Sequence, residues 1–146
     1  GGNLQEVLES VRQIYAMGFW LEIVTLVIPD YNDSKEEIRS IAEFIASVSE
    51  NIPWHITGFH PDYKMTDYQE TSPGTLLHAR QWGLEAGLKF VYSGNRAGRV
   101  EGSENTYCPS CSSTLIERYG FRVLSKKIMK GACLYCGQKI PGVWWR

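Results

Sequence analysis

No apolar run in this chain is long enough to cross a bilayer. The longest, residues 23–28, is interrupted by Thr25 and falls far short of the roughly 20 residues a spanning helix needs. The opening GGNLQEVLES has neither a basic nor an apolar block, so no secretory signal is expected there, and the cytoplasm is the expected compartment. Neither GxGxxG nor a phosphate-cradling P-loop occurs, which removes the two commonest nucleotide-binding signatures. No cysteine precedes Cys108. Basic residues are scarce in the first 95 positions, with six Lys or Arg against thirteen Asp or Glu; residues 96–146 reverse this, with nine against three.

What is present is the balance of a globular protein, 43% hydrophobic and 21% charged over 146 residues. The charge split divides it into an acidic body and a basic tail, the mark of two units. The expected division is a body over residues 1–95, a linker over 96–104 and a small cysteine-bearing unit over 105–146. A docked or solvated basic face is the ordinary use of such a tail, with nucleic acid the less expected partner.

Leu4, Val7, Leu8, Val11, Ile14 and Tyr15 recur at helical spacing before Gly18. Residues 20–28 are rich in β-branched side chains and apolar on both parities, as a strand covered on both faces would be. Pro29 ends that strand. Ser34 is placed to cap a helix, with Glu36 and Glu37 set for a capping box and Ile38, Ile41, Ala42, Phe44, Ile45 and Val48 as its buried stripe. A second strand is expected over 54–59 and a long polar loop over 60–71. Ser72-Pro73 then starts a third helix ending near Gly87, and residues 88–92 read as a third strand. Alternating helices and strands of this kind build a parallel sheet through βαβ crossovers. Three strands leave both sheet edges open, so the body has the look of part of a larger α/β layer or barrel.

The loops after parallel strands commonly hold ligands, since every crossover helix starts there. Here those loops offer residues 29–32, 60–63 and 93–95, with His60 able both to donate and to accept. Asp30, Asp33 and Asp62 suit turns and caps better than catalysis. Tyr31, Tyr63 and Tyr92 are candidates to line a pocket.

Cys108-Pro-Ser-Cys111 and Cys133-Leu-Tyr-Cys136 are two CxxC pairs separated by the 21 residues 112–132. Two such knuckles assemble a tetrahedral site with zinc–sulfur bonds of roughly 2.3 Å. Gly137 suits the positive φ such a knuckle requires, whereas Ser112 at the equivalent place is expected to strain it. Residues 115–124 between the pairs read as a hairpin turning near Gly120. So small a unit has little core, and metal binding would supply much of its folding free energy, on the order of 10 kcal/mol. Structural zinc on Cys108, Cys111, Cys133 and Cys136 is the expected ligation. Iron in a rubredoxin-like site, a cubane iron–sulfur cluster and a pair of redox disulfides are the alternatives.

The segments LEIVTLVIPDYNDSKEEI, PWHITGFHPDYKMTD, KFVYSGN, ENTYCPSCSSTLIERYGF and the final IPGVWW closely resemble the C-terminal half of the AmmeMemoRadiSam system radical SAM enzymes, relatives of pyruvate formate-lyase activating enzyme. The resemblance runs through essentially the whole chain. It implies part of a (β/α) barrel whose 4Fe-4S cluster binds S-adenosylmethionine and cleaves it reductively to a 5'-deoxyadenosyl radical, followed by a zinc ribbon. It puts the strand end Val27, Ile28 and Pro29, together with His60, at the S-adenosylmethionine site. It also implies Memo-like and AMMECR-like proteins as functional neighbours. The family's CxxxCxxC cluster motif occurs nowhere in the chain. The expectation is therefore a C-terminal fragment, inactive without the missing N-terminal half of the barrel. A stand-alone zinc-ribbon module that binds a protein or nucleic acid is the alternative.

Overall fold

The computed structural model describes residues 2–96, 98–100 and 102–144. Helices and strands alternate through the body as α1 (Leu4–Ala16), β1 (Ile23–Val27), α2 (Lys35–Val48), β2 (Trp54–Gly58), α3 (Pro73–Glu85) and β3 (Val91–Gly94). Each helix begins where a side-chain oxygen can take an otherwise orphaned backbone N–H. Asn3 accepts from Gln5, Ser34 from Glu37 and Ser72 from Thr75. The Glu37 carboxylate accepts from the Ser34 hydroxyl at 2.7 Å, so the box closes through side chains.

Strand β3 starts later than the periodicity predicts. The Leu88 N–H turns back to the Gly83 carbonyl and the Lys89 N–H to that of Glu50. The ladder can begin only at Phe90, whose carbonyl accepts from the Trp54 N–H at 2.9 Å.

The sheet runs in the order β1-β2-β3 with all strands parallel. Register aligns Ile23 with Trp54 and Val91, and Thr25 with Ile56 and Ser93. This row faces α2 and α3, which pack against each other. Trp54, Ile56 and Val91 are buried there among Ile38, Ala42, Ile45, Leu76 and Ala79, and Trp54 Nε1 donates to Thr25 Oγ1 at 2.9 Å.

The opposite row tells against the expectation that β1 is covered on both faces. Val24 is 66% exposed and Leu26 is also open, because both crossover helices lie on the other side of the sheet. Helix α1 forms as its spacing predicts, yet none of its residues is buried. Of its apolar stripe, Leu8 and Val11 are half-buried, while Leu4, Val7, Ile14 and Tyr15 stand exposed.

Beyond β3 the chain turns antiparallel. Strands β4 (Thr106–Tyr107), β5 (Thr114–Tyr119) and β6 (Arg122–Lys126) form one small sheet, and β7 (Ile128–Met129) pairs with β8 (Ala132–Cys133). Gly120 and Phe121 connect β5 to β6. Phe90 of the body is buried with Cys108, Leu115, Ile116, Ile128, Cys133 and Ile140, so the body contributes to the core of the cysteine-bearing unit. Val100 is buried in the first core, and the Ser103 carbonyl accepts from the Ser93 N–H at 3.1 Å. Among the described residues no helix is long and apolar enough to cross a membrane.

Candidate functional site

The two CxxC pairs fold into the same turn. In the first, the Ser112 N–H donates to the Cys108 carbonyl at 2.9 Å; in the second, the Gly137 N–H donates to the Cys133 carbonyl at 2.9 Å. Each turn contributes one buried and one exposed cysteine, and β5 and the β7–β8 pair bring the turns together. All four Sγ atoms lie within 4.8 Å of one another. Cys108 and Cys136 stand 3.6 Å apart, and Cys111 and Cys133 3.8 Å.

Such crowding prevents four thiolates from coexisting without a cation. Hydrogen bonds with the Ser113 side chain and backbone hold Cys111 down to about 6. At Cys136 the Gln138 N–H favours the thiolate, but hydrogen bonding with Cys111, desolvation and the other two cysteines outweigh it and push the thiol up to about 12. A metal ion at the centre would draw off this charge and deprotonate all four ligands. The donor set therefore suits a metal centre.

The strand-end residues occupy a separate rim. Val27 points into the helix-side core, and its carbonyl accepts from the buried Thr71 hydroxyl. The Ile28 N–H donates to Asn32 Oδ1 at 2.7 Å, and Pro29 is half-buried. His60 is 73% exposed, with Nδ1 4.0 Å from Glu70 Oε2. That carboxylate also pairs with Arg96 Nη2 at 3.2 Å and with Arg99 at 3.7 Å. The Arg96 side chain is only 10% exposed. It donates to the carbonyls of Phe59 at 2.7 Å and Thr71 at 3.3 Å, tying together the loops after β2 and β3. Glu70, Thr71 and Arg96 were not legible as site residues; only the length of the polar loop over 60–71 pointed there. Asp30, Asp33 and Asp62 lie in turns, with Asp33 accepting the Asp30 N–H and Asp62 that of Tyr63.

A groove of about 980 Å³ runs between the open sheet face and the cysteine-bearing unit. Its floor carries a polar chain. His55 Nε2 lies 2.7 Å from Glu22 Oε2, and the His55 ring stacks on Tyr92 at 5.1 Å. Tyr92 Oη bonds Thr106 Oγ1 at 3.0 Å, and Arg118 Nη1 donates to that same hydroxyl at 2.9 Å. Burial pushes the Tyr92 phenol up, against the lowering effect of Thr106 and Arg118. Tyr92 alone of these was a pocket candidate from sequence. The signal for His55 was its parity, opposite to that of Trp54 and Ile56.

The chain is 41% identical over 141 residues to the uncharacterized protein MJ0808 of Methanocaldococcus jannaschii. The alignment covers 94% of this chain but 42% of that protein, so the chain spans less than half the relative's length. No family model and no solved structure matches the chain.

Proposed function

We propose that this chain is the C-terminal part of a radical S-adenosylmethionine enzyme resembling the glycyl-radical activases, with a structural zinc ribbon, and that it is inactive by itself. The activity in this reading rests on the sequence resemblance, and the observation that supports its barrel architecture is the one-sided sheet. Three parallel strands in unreversed order, with both crossover helices on one face, have the form of an arc of a (β/α) barrel, whose helices all lie outside. A doubly wound sheet would reverse its strand order and cover both faces. The exposed Val24 and Leu26 and the exposed members of the α1 stripe supply apolar surface for the rest of such a barrel. The greater length of the archaeal relative leaves room for that portion.

The sulfur spacings favour a single tetrahedral ion, zinc in this reading, over a cubane cluster. Bonds of roughly 2.3 Å in a tetrahedron separate sulfurs by about 3.8 Å, against 3.6 and 3.8 Å here. A cubane cluster, in which each thiolate ligates a different iron, spreads its sulfurs much further apart. The four cysteines thus do not fit the open-site cluster of a radical SAM enzyme, which needs three thiolates and one free iron position. That cluster belongs to the missing half. S-adenosylmethionine, when bound, would be the source of the radical. In this chain the backbone of Val27, Ile28 and Pro29 and the exposed His60 would form part of its wall. Memo-like and AMMECR-like proteins are the proposed functional neighbours.

The test is anaerobic iron–sulfur reconstitution of the longer archaeal relative and of this chain, each reduced and supplied with S-adenosylmethionine. The longer protein is expected to release 5'-deoxyadenosine and this chain none. A relative without a reconstituted cluster or any 5'-deoxyadenosine would overturn the reading. Elemental analysis of this chain is expected to return one zinc.

A further inference from the structure

The groove between the open sheet face and the ribbon has the size of a small-molecule site, for which the usual range is roughly 300–1,000 Å³. Its acceptors and donors are unequally employed. Glu22 accepts from Trp20 Nε1 at 2.9 Å and is paired with His55 through its other oxygen. Glu104 accepts the Gly120 N–H at 3.1 Å. Both groove carboxylates are thus engaged with internal donors.

Arg118 differs. It is half-buried in the ribbon wall, with Nη1 on Thr106 and its guanidinium 5.9 Å over the Tyr92 ring. Among the described residues no carboxylate forms an ion pair with it; the ion pairs of the body lie on the helices, at the sheet start and at the Glu70 rim. A guanidinium has five N–H donors in a rigid fork, and one bond to Thr106 leaves most of them unused. Thr106 and Tyr92 hold the group in place, which lowers the entropy lost when it binds a ligand. The same groove is walled by Trp20 and Trp144.

We propose that this groove binds a small organic anion, its carboxylate or phosphate on the Arg118 fork and its planar or apolar body against Trp20 and Trp144. Planar bidentate recognition of either head group is what arginine supplies and lysine does not. On the barrel reading this same face would look toward the remaining strands, so the claim is made, and tested, for this chain by itself.

Titration of the zinc-loaded chain with phenyl phosphate and with phenylacetate, followed by tryptophan fluorescence and calorimetry, tests it. Saturable binding of at least one anion is expected, and comparison of the two arms identifies the head group. Benzyl alcohol, which lacks the charge, is expected not to bind. Arg118→Met is expected to weaken binding about tenfold or more, the loss that follows from removing a charge-assisted hydrogen bond. Arg118→Lys keeps the charge without the fork and should weaken binding less; it also serves if the methionine variant fails to fold. Arg39→Met, on the far side of the sheet, removes the same charge and should change nothing. Failure of both anions to saturate, equal binding of benzyl alcohol, or unchanged affinity in the Arg118 variants would each overturn the proposal.

Discussion

Ser112 and Gly137 occupy the same position in two copies of one turn. Both have positive φ, 58° and 75°, because each N–H must curl back to the carbonyl of the first cysteine in its pair. Glycine adopts this conformation freely, while a β-carbon meets steric opposition there. Ser112→Gly is therefore expected to stabilise the ribbon, by about 0.5–1 kcal/mol once the added freedom of the unfolded glycine is counted. Denaturant unfolding of the metal-loaded protein reads this directly; an unchanged or lower midpoint would contradict the strain.

Removing the metal should dismantle one end of the molecule and spare the other. The ribbon core holds few side chains besides Cys108 and Cys133, whereas Trp54, Ile38, Ile45 and Leu76 pack without reference to the cysteines. Under a strong chelator, amide hydrogen exchange is expected to lose protection across β5 and β6 and to retain it in α2 and β2. Uniform loss of protection would mean that the two cores fold as one.

Gly83 is expected to resist replacement despite its place inside a helix. A β-carbon there would stand 2.9 Å from Cζ3 of Trp54 and 3.0 Å from Cε3. The indole is fully buried and its Nε1 is held by Thr25, so it has no room to yield. Overpacking of this kind costs about 1–3 kcal/mol, while exchanging glycine for alanine in a helix returns about 1 kcal/mol. Gly83→Ala should thus be destabilising by about 1 kcal/mol, the difference of those two effects, as measured by thermal or denaturant unfolding.

Tyr92 should make stability fall in alkali. Its phenol is raised by burial, so above the ordinary tyrosine value of about 10 the unfolded chain gives up this proton more readily than the folded one. Stability from this group is fully present below that value and is lost as pH rises through the folded value. Tyr92→Phe is expected to be less stable at neutral pH, lacking the Thr106 bond, yet to show a shallower decline above about pH 10, the ordinary tyrosine value. Parallel slopes for the two proteins would refute the effect.

Much of the fold is legible in the sequence. The caps Ser34 and Ser72, the helix stripes and the knuckle spacing of the cysteines all act within a few residues, and the elements formed where those signals lie. The late start of β3 was not legible, because besides the local Leu88–Gly83 bond that closes the helix it depends on Lys89 bonding to Glu50, far back in the chain. Arg96 was missed for a similar reason, since its partners Phe59, Glu70 and Thr71 lie far back in the chain.

The sequence by itself determined the alternation of β2, the helix ends and a cluster of four cysteines with metal-ligand spacing, since each follows from spacing along a locally regular backbone. Only the tertiary structure decided which side of the sheet the helices would cover. Alternation defines two faces without saying which one is closed; that depends on the direction of successive crossovers. The same packing brought Glu22, His55 and Tyr92 from the body to Thr106 and Arg118 of the ribbon. Contacts between such distant positions leave no periodic trace in the chain.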